Sequence, residues 1–261
     1  MMETILSADG TSIAFRQTGS GQPLVLVHGS TADHTRWNNI LSDLEEDFTV
    51  IAMDRRGRGR SGDAESYEIE QEYKDIAAIA RQAGEQIHLL GHSFGALCAM
   101  EAALIIDNLS HLILYEPCFP VDEKPLYPPG LPGKLKGILE KGDRENFLIT
   151  FFKEAAGASD EQIDALRADP SWQARIASAH TALREMVDGE YQFVSERFAQ
   201  LDAPTLLLTG ENSPAELTAP SHVLDATLPN SQIVVMEGQG HVAMTTAPDL
   251  FLLLLRGFLV G

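Results

Sequence analysis

The sequence has few basic residues, few cysteines and no long apolar run. Its 261 residues include 19 Lys and Arg against 38 Asp and Glu, which gives a formal net charge of −19 at pH 7. Such a charge repels phosphate backbones and anionic lipids, so neither nucleic acid nor a membrane surface is expected as a partner. It also disfavours strongly anionic substrates, unless a local positive patch overrides it. The expected partner is a small-molecule substrate, and a homo-oligomer is compatible with this composition.

Further absences narrow the context of the protein. The start of the chain lacks the basic residues and apolar core of a signal peptide. The most apolar run, DLFLLLLRGFLVG, is short and is interrupted by Arg256, so it predicts a core-packing helix rather than a membrane span. Cys98 and Cys118 lie in apolar surroundings and predict buried thiols rather than a disulfide framework. These features favour a cytoplasmic address. Metal-binding motifs such as HExxH and CxxC are absent, and we expect neither a metal nor a cofactor.

Short, unalternating apolar runs recur along the chain between helical patterns. Runs of this kind are typical of strands buried on both faces of a parallel sheet. Near the start, ETILSA and TSIAFRQ flank Asp9-Gly10 and predict a hairpin with a two-residue turn. The pattern as a whole predicts an α/β fold with a doubly wound, mostly parallel eight-stranded sheet. Beyond the hairpin, the predicted strands cover 23–29, 48–54, 86–93, 111–117, 204–210 and 231–238.

The alternation of strands and helices stops between about 118 and 203. We predict that residues 118–202 form a helical cap insertion on a core made by 1–117 and 203–261. An insertion between strands of such a sheet emerges at the edge where ligands bind. An ordinary set of surface helices is the alternative. No strand is predicted here, and the helical patterns cover 134–157, 159–168 and 171–199.

The segment LLGHSFGAL, residues 89–97, carries the strongest chemical signal. Gly91, Ser93 and Gly95 fit the pattern G-x-S-x-G between an apolar strand and ALCAMEAAL, which is rich in helix formers. So sharp a turn strains the serine backbone and presents its hydroxyl above the sheet edge, at a helix N-terminus that favours developing negative charge. We therefore predict that Ser93 is a nucleophile.

Together with four other stretches, this turn resembles the α/β-hydrolase fold superfamily over nearly the whole chain. VHG (27–29) resembles the oxyanion loop of that family, and DRRGRGRSG (54–62) resembles the turn after its next strand. TGEN (209–212) stands where the acid loop of the family begins, and GQGH (238–241) resembles the segment that ends in its histidine. The order and spacing of these stretches make the combination specific.

The resemblance implies roles for particular residues. His241 would be the general base, since the order Ser before His agrees with this fold. The oxyanion hole would consist of the backbone N–H groups of Ser30 and Phe94. His28 and His92 are interpreted as structural residues. The arginines of 54–62 are expected to pair with carboxylates in a structural turn.

The sequence indicates the third catalytic residue, the acid, less clearly than the serine and the histidine. In this family an Asp is most often expected three residues after Gly210, but Ser213 stands there and carries no charge near neutral pH. Glu116 ends the strand HLILYEP at the same sheet edge as Ser93, and in some branches of the superfamily the acid comes from this strand end. Glu211 is a second candidate, and a Ser–His dyad oriented by a neutral group is a third. We predict Glu116 and leave the other two open.

The predicted activity is cofactor-independent hydrolysis of a small, mostly apolar ester, thioester or amide through an acyl-enzyme. A serine nucleophile argues against the haloalkane dehalogenase and epoxide hydrolase branches, whose nucleophile resembles an Asp. Carbon–carbon bond hydrolysis, lyase and perhydrolase chemistry remain open, because a fold does not fix a reaction. A hydrolase-like protein that binds a small ligand without turnover is the alternative from another class, favoured by the missing loop Asp.

Overall fold

One eight-stranded sheet organises the chain. The computed structural model describes residues 1–122, 124–187 and 191–260, without the side chain of Val187. The spatial order of the strands is β1-β2-β4-β3-β5-β6-β7-β8. The β1–β2 and β2–β4 pairings are antiparallel and the others are parallel, which confirms the predicted fold class. The strands are β1 (Met2–Leu6), β2 (Ser12–Gly19), β3 (Gln22–Val27), β4 (Phe48–Met53), β5 (Ile87–His92), β6 (Leu109–Tyr115), β7 (Thr205–Gly210) and β8 (Ser231–Met236).

Helices cover both faces of the sheet, and this explains why its strands read as continuous apolar runs. In β3, Val25 and Val27 point into one apolar cluster, whereas Leu24 and Leu26 point into another on the opposite face. The first cluster is completed by α2 (Ile69–Ala83) and α3 (Phe94–Ala103). The second is completed by α1 (Asn38–Leu44), which follows a 3₁₀ turn at His34–Trp37, and by the helices α11 (Ala243–Thr246) and α12 (Pro248–Leu259).

The predicted hairpin is confirmed, but its turn is longer than predicted. The Ser7 N–H donates to the Thr11 carbonyl (2.8 Å), and the Gly10 N–H donates to the Ser7 carbonyl (2.9 Å). Three residues, 8–10, therefore lie inside the Ser7–Thr11 pair that closes the turn, instead of the predicted two. Gly10 has φ +84°, the left-handed conformation that this longer turn requires and that glycine adopts without strain.

Between β6 and β7 the chain forms the helices α4 to α9, called here the inserted helices. The predicted helical stretch 134–157 is in fact two helices, because the chain turns at Gly142 with φ +77°. The predicted stretch 171–199 contains α7, α8 and α9, and 188–190 lie outside the described residues. The division into a core and a cap stays a prediction. The inserted helices are α4 (Leu131–Glu140), α5 (Arg144–Glu154), α6 (Asp160–Ala168), α7 (Trp172–Ala177), α8 (Ala179–Val187) and α9 (Ser195–Phe198).

Three helices, α10, α11 and α12, follow β7 in the described part of the chain. The helix α10 (Ala215–Asp225) connects β7 to β8. The apolar run near the end forms α12, as predicted, and buries Phe251, Leu252 and Leu255 against the sheet. Among the described residues, no helix combines the length and the apolarity that a membrane crossing needs.

The turn from β5 into α3 depends on very close backbone contacts. A Cβ added at Gly91 would lie 2.5 Å from the Ala96 Cα, and one added at Gly95 would lie 2.2 Å from the His28 carbonyl oxygen. Both distances are far below van der Waals contact, and both neighbours are backbone atoms that cannot move aside alone. The glycines on either side of Ser93 are therefore required by packing.

We expect Gly95→Ala to lower the free energy of unfolding by about 2–3 kcal/mol, because the added methyl group forces the backbone of α3 away from that of β3. Chemical denaturation measures this change. The matched control is Gly137→Ala in α4, where an added Cβ meets no atom within 4 Å. That substitution should raise the free energy of unfolding by about 0.5–1 kcal/mol through helix propensity. Equal stability of the two variants would contradict the packing argument.

Candidate active site

Ser93 stands between the end of β5 and the start of α3. Its backbone has φ +58° and ψ −127°, a strained conformation for a residue with a side chain. The turn is held by the Ser93 N–H, which donates to the Tyr115 carbonyl (2.9 Å), and by the Ala96 N–H, which donates to the Ser93 carbonyl (2.8 Å). Ser93 is 8% exposed, so its hydroxyl is presented at a site that is nearly closed to solvent.

Glu116 and His241 are in direct contact. The Nδ1–H of His241 donates to Oε2 of Glu116. The other carboxylate oxygen, Oε1, accepts the N–H of Gly210 (2.7 Å), and the Glu116 side chain is fully buried. Glu116 has φ +46°, again in the left-handed region. A buried carboxylate with both oxygens engaged fixes the imidazole ring and leaves Nε2 as the free ring nitrogen of His241.

The loop that carries His241 is held against the strand ends by three further contacts. His92 donates from Nε2 to the His241 carbonyl (2.8 Å), and the two rings lie 4.7 Å apart. The Tyr115 hydroxyl donates to the Gly240 carbonyl and accepts the Ala243 N–H (3.1 Å). Burial lowers the pKa of His92 well below its usual range, which keeps this ring neutral. The residue before Ser93 is thus bonded to His241 itself.

On the β7 loop, neither the second candidate Glu211 nor Ser213, which stands at the usual acid position, contacts the imidazole. Glu211 is exposed, and its Oε2 accepts the Gly238 N–H (2.8 Å), so it braces the turn before the histidine. The Ser213 N–H donates to the Gly210 carbonyl (3.1 Å), while its buried hydroxyl has no hydrogen-bond partner within the described part of the chain. The carboxylate that touches His241 comes from the end of β6.

The predicted oxyanion donors belong to two backbone segments that adjoin Ser93. Phe94 is the first residue of α3, so its N–H has no acceptor within the helix. Gly29 packs so closely on the turn that an added Cβ would lie 2.8 Å from the Ser93 Cβ, and Ser30 follows it directly. The His28 side chain holds the loop that contains Gly29 and Ser30. Its Nδ1–H donates to the Gly29 carbonyl (2.8 Å), and its Nε2 accepts an N–H from the next strand end.

The Ser93 hydroxyl has a neighbour that the sequence does not indicate. Cys118 Sγ lies 3.3 Å from Ser93 Oγ, within hydrogen-bond distance. Burial raises the pKa of Cys118 to about 12, so the sulfur is a thiol and not a thiolate near neutral pH. Within the described residues Ser93 Oγ has no hydrogen bond to His241; such bonds are often long in free enzymes and tighten when substrate binds.

A buried group of four charges lies beside the site and joins the inserted helices to the sheet. Arg55 and Arg58, from the turn after β4, both bind Glu185 of α8. Arg55 also donates to Glu72 of α2 (2.8 Å), and all four side chains are at most 1% exposed. The Arg55 guanidinium covers the ring of Phe94 at 4.8 Å. Arg55 and Arg58 therefore pair with carboxylates, as predicted for the arginines of this turn.

Asp54 has a structural role in the same turn. One of its carboxylate oxygens accepts hydrogen bonds from the backbone N–H (2.8 Å) and the Nδ1–H (2.7 Å) of His34, and the other accepts the Arg60 N–H (2.9 Å). Asp33 adds a third group of metal-ligand type within 4.8 Å. Because these atoms already make hydrogen bonds to the protein, we assign no metal to this cluster.

The structure has a groove that lies away from Ser93. It has a volume of about 520 Å³ and is bordered by α2, α3 and the segment 191–197. None of the residues discussed above as candidate catalytic groups lines it. The groove is therefore not part of the candidate site, which consists of the side chains in contact around Ser93, Glu116 and His241.

Comparison with known proteins identifies the family of the chain. A family model described as "Alpha/beta hydrolase family" matches residues 24–252. The chain is 28% identical over 256 residues to the pimeloyl-[acyl-carrier protein] methyl ester esterase of Aeromonas hydrophila, covering 95% of this chain and 99% of that one. It is 34% identical over 164 residues to the N-formylmaleamate deformylase of Pseudomonas putida, covering 59% of this chain and 58% of that one.

Solved structures give the same result. The crystal structure of an alpha/beta hydrolase from Sphaerobacter thermophilus superimposes with a TM-score of 0.85 at 36% identity, covering 98% of this chain and 99% of that chain. The match extends over the sheet and over the segment between β6 and β7, since nearly the whole of both chains is aligned.

We expect Glu185→Ala to lower the free energy of unfolding by about 3–5 kcal/mol, because Arg55 and Arg58 would lose a buried counter-charge. Urea denaturation measures the change. The control is Glu154→Ala, which removes an exposed carboxylate paired with Lys134 and should cost less than about 1 kcal/mol. A Glu185→Ala variant as stable as the control would show that the buried group does not hold α8 to the sheet.

Proposed function

This chain belongs to the Alpha/beta hydrolase family and is a hydrolase, and on that premise we propose that it cleaves small esters, thioesters or amides through an acyl-enzyme on Ser93. His241 acts as general base and acid, and Glu116 orients it. The observation that supports this most directly is the contact between the buried Glu116 carboxylate and Nδ1 of His241, next to a strained serine turn.

The proposed reaction begins with attack of Ser93 Oγ on the acyl carbon, while Nε2 of His241 takes the hydroxyl proton. The N–H groups of Ser30 and Phe94 stabilise the oxyanion that forms. The tetrahedral intermediate collapses and expels an alcohol, thiol or amine, which receives the proton from Nε2. A water molecule then attacks the acyl-enzyme, giving its proton to Nε2, and the release of the carboxylic acid returns this proton to Ser93.

The inserted helices act as a cap in this proposal. Glu185 and Arg175, from α8 and α7, contact the loops that follow β4 and β3, so these helices pack at the sheet edge that carries Ser93. Ser93 is itself 8% exposed. A site this enclosed favours a small substrate. Relatives named for methyl ester cleavage and for deformylation support hydrolysis of acyl compounds, without fixing which one.

A binding protein without turnover is the competing proposal. The feature that favoured a binding protein was the serine at position 213 of the β7 loop, where an Asp is most often expected. The placement of Glu116 against His241 removes that support, because a carboxylate is present at the imidazole by another route. The absence of a hydrogen bond between Ser93 and His241 in the described structure does not favour a binding protein either. Such bonds are often long in enzymes without substrate.

We expect a fluorophosphonate probe to label the wild-type protein on Ser93, because the probe reacts with an activated serine hydroxyl. Mass spectrometry of the labelled peptide identifies the site. Ser93→Ala should abolish labelling while keeping the fold. Labelling that persists in Ser93→Ala, or a folded wild-type protein that never labels, would overturn the proposed mechanism.

We expect Glu116→Gln to lower kcat by about 10⁴-fold, because the amide neither fixes the required imidazole tautomer nor stabilises the imidazolium. Glutamine keeps an oxygen that can accept the Gly210 N–H, so the loop contact can survive. Steady-state kinetics with a small aryl ester measure the effect, and Glu211→Gln is the matched control, expected to stay within about threefold of wild type. Comparable activity of Glu116→Gln and wild type at equal stability would exclude Glu116 as the acid.

A further inference from the structure

We propose that Cys118 is a positioning residue that holds the Ser93 hydroxyl in a resting orientation, directed at the sulfur rather than at His241, until a substrate enters the site. This role rests on the proposed function and deepens it, because it concerns how the nucleophile becomes available for the reaction. The reactive orientation of Ser93 is then a minor state of the free protein, and acylation begins with the rotation of one hydroxyl group.

The thiol of Cys118 makes hydrogen bonds on two sides. Its Sγ lies 3.7 Å from the carbonyl oxygen of Glu116, a group that can only accept, so the S–H donates to it. Sγ also lies 3.3 Å from Ser93 Oγ. Because a thiol has a single proton, the hydroxyl is the donor in this second contact. The proton that His241 takes during the reaction is thereby directed at the sulfur.

The general base is oriented for the reaction, whereas the nucleophile is not. Glu116 fixes the ring of His241 through Nδ1 and leaves Nε2 free. Within the described residues Ser93 Oγ makes no hydrogen bond to this ring. The resting and reactive arrangements therefore differ in the direction of one hydroxyl group, which is set by rotation about one side-chain bond.

The end of β6 provides both the acid and the sulfur. Glu116 follows the strand with φ +46°, and Pro117 restricts the next φ to about −65°, so the direction of the chain into Cys118 is closely determined. Cys118 is 6% exposed. The Glu116 side chain contacts His241, while its carbonyl accepts the thiol proton. The position of the sulfur is therefore coupled to that of the acid.

A protonated thiol suits a reversible hold on the nucleophile. Sulfur is a weak hydrogen-bond acceptor, so the hydroxyl leaves it at small cost when a substrate carbonyl approaches. Burial raises the pKa of Cys118 to about 12, which keeps the sulfur from becoming a thiolate that would bind the hydroxyl strongly or compete as a nucleophile. The net contribution of one weak hydrogen bond corresponds to a several-fold excess of the resting orientation.

The test compares two substitutions of similar size. Alanine and serine occupy nearly the same volume, but only serine keeps an atom that accepts the Ser93 proton. We expect Cys118→Ala to reach a maximal rate of fluorophosphonate labelling about 3- to 10-fold above that of Cys118→Ser, which should label no faster than wild type. The probe concentration that gives half of the maximal rate should stay the same, because the hydroxyl orientation does not affect probe binding.

Cys98 provides the matched control. It is a buried cysteine of α3, and its thiol makes no hydrogen bond with Ser93 in the described part of the chain. Cys98→Ala and Cys98→Ser should label at equal rates. Thermal midpoints of the four variants are measured as well, and labelling is compared well below them. A purely structural role of Cys118 would slow both of its variants together, whereas the proposed role separates alanine from serine.

Infrared spectroscopy observes the contact without any reaction. In a Cys98→Ala protein the only remaining S–H group is that of Cys118, and its stretching band lies apart from the other bands of a protein. We expect the further substitution Ser93→Ala to shift this band to higher frequency, because a thiol that no longer accepts a hydrogen bond donates more weakly to the Glu116 carbonyl. A band that does not move would overturn the proposal.

These outcomes are distinct from failure of the proposed function. A folded wild-type protein that never labels contradicts the acyl-enzyme mechanism, and the infrared band then still tests the contact between Cys118 and Ser93. Equal labelling rates of Cys118→Ala and Cys118→Ser, or a slower rate of the alanine variant, would contradict the resting orientation while leaving the mechanism intact.

Discussion

The Glu116 carboxylate is the contact on which the rest of the site depends. It joins three segments that are far apart in the sequence: the end of β6, the Gly210 N–H at the end of β7, and the loop that carries His241. Only the carboxyl edge of a parallel sheet brings such segments together. The close approach of the last two also requires Gly210, since a Cβ there would lie 2.6 Å from the Gln239 carbonyl oxygen. No carboxylate of the described β7 loop contacts the imidazole, and the one that does follows the neighbouring strand β6.

Much of the fold could be predicted from the sequence because its strands are buried on both faces. Each strand must then be apolar throughout, and such runs are easy to recognise. What the sequence left uncertain was local. The turn at 8–10 has one residue more than Asp9-Gly10 suggests, and Gly142 divides a continuous helical pattern into α4 and α5. Each of these features depends on the backbone conformation of one glycine, Gly10 or Gly142. The spacing of apolar residues does not predict such a conformation.

The site was predictable to the extent that the backbone determines it. Ser93 and its glycines are recognisable because a strained turn requires that pattern, whereas Cys118 and His92 enter through contacts between distant segments. Ser93 and Glu116, which directly follow strands β5 and β6, both have a positive φ, and the sequence indicated strain only at Ser93.

The position of Glu116 also affects how this protein could vary over evolution. Ser93 and Glu116 both precede the inserted helices, and they are joined by the paired strands β5 and β6. Ser93 and Glu116 follow adjacent strands and form a contiguous unit, so changes in the length of the insertion do not alter their spacing. Only His241 follows the inserted helices in the sequence. The inserted helices can therefore vary while the charge that holds the imidazole stays where it is.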